Sequence, residues 1–323
     1  MSNVTGDRNT ANGVQALLTN TTGDDNTAVG YAALQSSTTA GGNTALGSQA
    51  LQNNTTGTGN AAAGLAALQS NTVGFFNTAI GSFALEANDT GTNNTATGAR
   101  ALSSNTTGTF NTAYGFDALA SNTSGDGNIA VGGQALLNND TGEDNIATGT
   151  NTLLSNTSGN SNTAYGAFAL NNNNTGSGNI ALGFGAGGQL TVGNFNIDIG
   201  NPAIAGEANT IRIGGQGTQT STFVAGIFGT NVAGSTVVVN SNGQLGVSAS
   251  SRRFKQAIEP MDKASEAILA LKPVTFQYKT DTANMPQFGL IAEQVAEINP
   301  DLVVRDQKGE IYSALRCSER DAA

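Results

Sequence analysis

Small and apolar positions return along the first two hundred residues with an unvarying period. Asn stands at 9, 26, 43 and 60, and at every seventeenth residue on to 196. Taking that Asn as position 1, Gly fills position 5 in all twelve repeats. Ala fills position 3 in the first eleven, and Leu fills position 9 in the first ten, from Leu17 to Leu170. The exception at position 3 is Asp198. The unit reads N-T-A-x-G-x-x-A-L-x-x-N-T-T-G-x-x. Its opening alternates with period two, as a strand does, and the Gly of Asn-Thr-Thr-Gly marks a tight turn. Seventeen residues are too few for a helix pair and suit one coil of a β-solenoid, with two short strands and two turns. Stacked strands lie about 4.8 Å apart, so twelve coils predict a rod of roughly 60 Å. The position-1 Asn would then stack into a ladder of side-chain amide hydrogen bonds. A strict period with Leu in phase separates this region from a disordered Asn/Thr/Gly tract.

The core of each coil is thin. A buried Leu contributes about 2–3 kcal/mol, whereas ordering costs about 1–2 kcal/mol per residue. One chain alone is therefore expected to be marginal. Several chains side by side would bury a second face, with small Ala allowing their backbones to approach.

Beyond residue 200 the pattern changes. Asn209–Gly214 reads as a last strand, placed 13 rather than 17 residues after Asn196. Thr222–Ile227 and Ser235–Val239 are β-branched and aromatic runs, and Asn240–Gly246 reads as a hairpin turn entering a strand. Helical spacing first appears in Met261–Leu271, after Pro260. Val274–Lys279 reads as a strand, Phe288–Ile298 as a short strand entering a helix, and Leu302–Arg305 with Glu310–Tyr312 as a hairpin. The chain thus divides into a mainly β solenoid over 1–214, a β connector over 215–249 and a small α+β region over 250–323.

Composition narrows the chemistry. Only 11% of residues are charged and His is absent, which excludes His-based triads, His zinc sites and haem ligation by His. Cys317 is the single cysteine, so neither an intrachain disulfide framework nor a Cys-cluster metal site can form. No metal or cofactor is expected. Before Ser251 the chain has three basic and 12 acidic residues, and this acidity argues against nucleic acid as a partner. No run of 18 apolar residues is present to span a membrane as a helix, and the first residues lack a Sec-type signal. Gly183–Gly188 spells G-x-G-x-x-G, but no helix or βαβ pattern accompanies it, so it reads as repeat glycine. The Asn-x-Thr triplets follow from the repeat. Asp24, Asp25, Asp126, Glu143 and Asp144 fall in turns and read as solvated rather than as a calcium loop. No carboxylate pair stands out for glycoside hydrolysis.

The repeats resemble the heads of trimeric autotransporter adhesins and the β-roll repeats of phage tail fibres, which implies three chains side by side. Near the C-terminus stand Ser-Ser-Arg-Arg-Phe-Lys-Gln-Ala-Ile-Glu-Pro, Leu-Lys-Pro-Val-Thr-Phe-Gln-Tyr-Lys, Phe-Gly-Leu-Ile-Ala-Glu-Gln-Val and Pro-Asp-Leu-Val-Val. In order and spacing these blocks resemble the C-terminal intramolecular chaperone of endosialidase and related phage tail spikes. Taken alone, Ser250–Lys255 reads as a solvated basic linker. The resemblance implies instead a domain that trimerises, templates folding of the fibre and cuts itself off once with a Ser-Lys dyad. The family's Ser falls on Ser250 and its Lys on Lys255, with Ser251 where Asp or Asn is frequent. A neutral Lys can act as general base to a Ser hydroxyl, and Arg252 and Arg253 would push its pKa down. Cleavage is expected between Ala249 and Ser250, or failing that after Ser250.

This reading makes the chain a homotrimeric tail fibre or surface adhesin, on a virion or cell surface, with an unidentified host-surface or glycan receptor. The alternative is a non-catalytic β-solenoid adhesin whose terminal domain acts only as a trimer clamp. Related domains continue beyond the Gly-Glu-Ile-Tyr-Ser block with a helix reading roughly R-Y-D-A-V-N-A-M-L-L-N. Here Ala314–Ala323 can be encoded by bases that, read one base later, spell R-Y-D-A-V-N-A-M-L. The expectation is a frameshift that truncates the domain after about 313 and leaves trimerisation poor and cleavage slow or absent.

Overall fold

The computed structural model describes residues 3–215, 217–224, 237–247, 256, 258, 265–277, 287–305 and 309–314. It falls into two compact units, Met1–Ser221 and Thr222–Ala323. The first is a parallel β-solenoid of about twelve turns. Its thirteen strands, from β1 (Thr10–Asn12) to β13 (Ile211–Ile213), pair in chain order within one sheet. The register advances by one repeat at each step, as in Ala28↔Ala45 and Ala113↔Ala130.

Each coil supplies one three-residue strand, covering positions 2–4, rather than the two strands that the pattern predicts. The reason lies in the backbone around Leu. Every position-9 Leu from Leu17 to Leu170 is left-handed, with φ between 49° and 52° in such coils as Leu34, Leu51, Leu68 and Leu119. Position 7 is left-handed as well, for example Gln49 and Phe83. Left-handed residues two apart interrupt the extended conformation that a strand needs. Pairing between coils continues there as single hydrogen bonds, such as Leu51 N–H to the Ala67 carbonyl at 3.0 Å. Position 5 turns the chain with φ near +135° and lies against the coil above. A Cβ on Gly30 would fall 2.3 Å from the Gly47 carbonyl oxygen, so only Gly fits.

The interior is closed within one chain. Ala at positions 3 and 8 and Leu at position 9 stack into one continuous buried column. Ala28, Ala33 and Leu34 have no exposed surface at all, and their buried equivalents are at most 4% exposed. The small Ala assigned above to approach between chains is thus spent inside the coil.

Two columns of buried Asn run beside this core. At position 1 each Asn donates its N–H to the side-chain oxygen of the Asn before it, from Asn26→Asn9 at 2.9 Å to Asn196→Asn179 at 3.0 Å. Its Nδ2 donates to the position-15 carbonyl of its own coil, as in Asn111→Gly125 at 2.8 Å. This is the ladder expected from the period. The second column, at position 12, was not foreseen. Asn105 Nδ2 donates to Asn88 Oδ1 at 2.8 Å and to the Gly108 carbonyl at 3.0 Å, and the pattern recurs from Asn71 to Asn173. The buried amides are thus paired as interior polar groups must be, except Asn20 Oδ1 and Asn173 Oδ1, whose counterparts in the next coil are Ser37 and Leu190, where the second column is interrupted. The Asn of each Asn-Thr-Thr triplet is also removed from the surface.

In the last coil the register departs from the sequence reading. Ile197 pairs with Ile211, a step of 14. Thr210, not Asn209, takes the ladder position, donating its N–H to Asn196 Oδ1 at 3.1 Å.

The C-terminal unit is built of short elements. β14 (Val237–Val239) and β15 (Leu245–Val247) form the expected hairpin, held by Asn240 Oδ1 accepting from the N–H groups of Asn242 and Gln244. α1 (Glu266–Leu269) lies in the predicted helical segment. β16 (Val274–Phe276) pairs antiparallel with β17 (Gln287–Gly289), which leads into α2 (Ala292–Ile298). β18 (Val303–Arg305) and β19 (Ile311–Ala314) form the second hairpin, and α2 packs against both of its strands.

Candidate functional site

Ala249, Ser250 and Lys255, the candidate cleavage point and dyad, lie outside the described residues, as does the segment 315–323 on which the frameshift reading rests. What the structure describes is the frame around them. The β14–β15 hairpin ends at Val247, three residues before Ser250. Downstream, Asn299 caps a 3₁₀ turn over Pro300–Leu302 by accepting from the Asp301 N–H at 2.9 Å. Pro in the first turn fits, because its missing N–H would have had no partner there.

The described residues of this unit form little interior. Val295 of α2 is its one buried apolar side chain among the described residues. Leu269 is 88% exposed, Phe288 83% and Leu245 72%. A shallow groove runs between the end of α1 and α2, with Leu271, Leu290, Ile291, Val295 and Ile298 on its apolar side and Lys272 and Glu297 at its rim. Apolar side chains at such exposure are what an assembly interface presents when its partners are taken away.

A buried, perturbed titrating cluster lies in the last coils of the solenoid, where the sequence reading noted only that Asp198 breaks the repeat. Asp198 occupies the inward position 3 of β12 (Ile197–Ile199), opposite Arg212 of β13. It is 1% exposed, and neither carboxylate oxygen has a hydrogen-bond partner. Its pKa is pushed from the ordinary 3.8 to about 6, first by burial and then by the negative Glu207, with Arg212 acting in opposition. Arg212 is engaged elsewhere, donating from Nη2 to Glu207 Oε2 at 2.7 Å and from Nε to Glu207 Oε1 at 2.8 Å. That pair holds the Glu207 carboxyl below its usual range.

Room for the Asp198 carboxylate comes from a rearranged repeat. Position 9 of the coil before is Gly187, where earlier coils carry Leu, and Leu190 stands at position 12 in place of Asn. A Cβ on Gly187 would lie 2.7 Å from Leu170 Cδ2 and 3.4 Å from Asp198 Oδ2. The G-x-G-x-x-G spelling at 183–188 therefore serves packing. The apolar position-3 column thus ends in charged residues, Asp198 on β12 and Arg212 on β13, the kind of residue that protects sheet edges.

Three of the turn acids, Asp24, Asp25 and Asp126, are structural acceptors. Asp24 Oδ1 accepts from the Asp7 N–H at 2.7 Å, Asp126 Oδ1 from the Thr109 N–H at 2.6 Å, and Asp25 pairs with Arg8. Among the described residues no three His, Cys, Asp or Glu side chains converge to hold a metal ion. No helix there is long and apolar enough to cross a membrane.

Residues 250–304 match the family model described as the chaperone of endosialidase. The solenoid of about twelve turns precedes that match. A chaperone-of-endosialidase segment behind a repetitive β-solenoid is the build of a tail-fibre-like structural protein, and that is the class to which fold and family segment assign this chain. No curated protein matches the chain.

Proposed function

We propose that the chain is the shaft of a homotrimeric, receptor-binding fibre whose C-terminal region, 250–323, templates trimer folding and is then released by its own Ser-Lys dyad. The family match over 250–304 carries the reading. The exposed Leu245, Leu269 and Phe288 support the trimer, because among the described residues of the C-terminal unit Val295 alone is a buried apolar side chain. Templating answers a physical need. Repeated coils offer many near-equal pairings between chains, and fixing one end sets the stagger before the rest closes.

In the cleavage step Lys255, in its neutral form, takes the Ser250 hydroxyl proton while Oγ attacks the Ala249 carbonyl carbon. The Ala249–Ser250 amide breaks to an ester, and the proton passes to the departing Ser250 α-amine. Water then hydrolyses the ester to an Ala249 carboxylate and a free Ser250 hydroxyl. Loss of the template makes unfolding hard to reverse. Denaturing electrophoresis of the folded full chain tests this. Fragments of about 249 and 74 residues are expected, and Ser250→Ala and Lys255→Ala should each abolish them. A chain that stays intact under folding conditions leaves the clamp-only role in its place. The receptor, a host surface or glycan, is to be sought with the assembled fibre.

A further inference from the structure

The outward face of the solenoid sheet differs from the rest of the surface in two respects. Positions 2, 4 and 6 carry no charged residue in any of the twelve coils. The acids sit at positions 10, 13, 16 and 17, apart from Asp117, which is paired with Arg100, and the end group Asp198 and Glu207. This face is also openly apolar. Ile80 is 49% exposed, Tyr114 61%, Tyr165 60% and Leu182 48%. Thirteen strands at about 4.8 Å, each about 10 Å wide, present roughly 600 Å², and position 6 extends this towards 1,000 Å². A stable interface needs about 800 Å² from each partner.

Position 4 of this face varies from coil to coil, unlike the buried positions. The buried positions read Ala, Ala, Leu and Asn in nearly every turn and cannot tell one coil from the next. From coil to coil position 4 reads Ile80, Thr97, Tyr114, Val131, Thr148, Tyr165, so no two neighbours are alike.

We propose that this uncharged face is where copies of the chain pack against one another in parallel, and that its uneven sequence of large and small side chains keeps them level. The occupant is a second copy because of charge and area. Chains of net charge −9 before Ser251 repel one another, and on this face same-numbered coils can meet without bringing acids together. A slip by one coil, about 4.8 Å, would set Tyr114 against Thr97 or Val131 of its neighbour and leave gaps and clashes at several levels. The inference rests on the trimer reading and names the surface that reading uses.

The test uses the full chain with Cys317→Ser and a single new cysteine. Thr95→Cys lies at position 2 on the face, and Thr107→Cys, at the exposed position 14, is the control. A bis-maleimide spanning about 10 Å, the spacing of packed sheets, should link chains through residue 95 at least tenfold more than through residue 107. For register, Thr97→Tyr with Tyr114→Thr moves one large side chain by one coil. Differently tagged normal and swapped chains, both carrying Thr95→Cys and produced together, should give several-fold fewer mixed-tag links than same-tag links. Trimers that link through 107 and not 95 overturn the face assignment and leave the trimer standing. Equal mixed and same-tag yields overturn the register role. A chain that sediments as a monomer overturns the trimer reading itself.

Discussion

Replacing Asp198 by Asn should stabilise the solenoid at neutral pH, an unusual sign for a substitution at a fully buried position. Asp198 is 1% exposed with both oxygens unpartnered, and its pKa is raised from 3.8 to about 6. The folded chain therefore holds the proton more tightly than the unfolded chain. The associated stability is complete below about pH 4, is lost as pH rises to about 6 and stays lost above it. The displacement from 3.8 to about 6 corresponds to about 3 kcal/mol at pH 7. Asn keeps the shape and removes the charge, but its buried amide lacks partners too, so a gain of about 1–2 kcal/mol is expected at pH 7. Little or no gain is expected at pH 4. Arg212 keeps Glu207 and is not stranded by the change. The measurement is denaturant unfolding of both proteins from pH 4 to 8, with the difference plotted against pH. Amide exchange at Ile197 and Gly200 would show whether the gain sits in the last coils, since repeat arrays open locally. An Asn variant less stable than the parent at pH 8, or a difference that does not change between pH 4 and 7, would refute the reasoning.

Three further outcomes follow from the coil geometry. Gly115→Ala should cost several kcal/mol, because Gly115 has φ +138° and a new Cβ would fall 2.6 Å from the Gly132 carbonyl oxygen, whereas Gly133→Ala, which meets nothing within 4 Å, should be near neutral by the same denaturant assay. Asn105→Ala removes two donated hydrogen bonds and strands the Asn122 Nδ2 contact to Asn105 Oδ1, so a loss of roughly 2–4 kcal/mol is expected, and Asn105→Asp should not rescue it. Arg100→Ala removes a bidentate partner from Asp117, whose side chain is 4% exposed, and a cation stacked 5.3 Å over Phe116; a lowered melting temperature that added salt does not reproduce in the parent is expected.

The seventeen-residue period was enough to foresee the stacked parallel strands and the position-1 Asn ladder, because both follow from repetition alone. The hairpins at 237–247 and 303–314 and the helix after Phe288 were legible from alternation and turn residues. The left-handed Leu at position 9 was not, since apolar periodicity says that Leu is buried and nothing about the sign of its φ. The same blindness produced the expectation of two strands per coil. The position-12 Asn read as part of a turn, and only the direction of Nδ2 towards the coil before makes it a second ladder. At the last coil, Asn209 looked like the next ladder residue by type, but the chain pairs by the core positions and sets Thr210 there. A signal was present in Gly187 and Leu190, which exchange the large side chain between positions 9 and 12 just before Asp198. For Ser250 and Lys255 the sequence offers family likeness and order of residues, and their geometry lies outside the described residues.

The constant step from coil to coil has a consequence for how such a shaft could vary. From Asn43 to Asn173 each coil meets its neighbours through the same carbonyls, the same Asn and the same Leu, so the site where one repeat joins the next is interchangeable along that part of the stack. Duplicating or deleting a block of seventeen codons anywhere within it would lengthen or shorten the shaft by about 4.8 Å and leave both termini as they are. Length is therefore a quantity that inheritance can adjust in small equal increments without inventing a new fold. In the proposed assembly the adjustment would be made in every copy at once, because chains of unequal repeat number would not keep their outward side chains level.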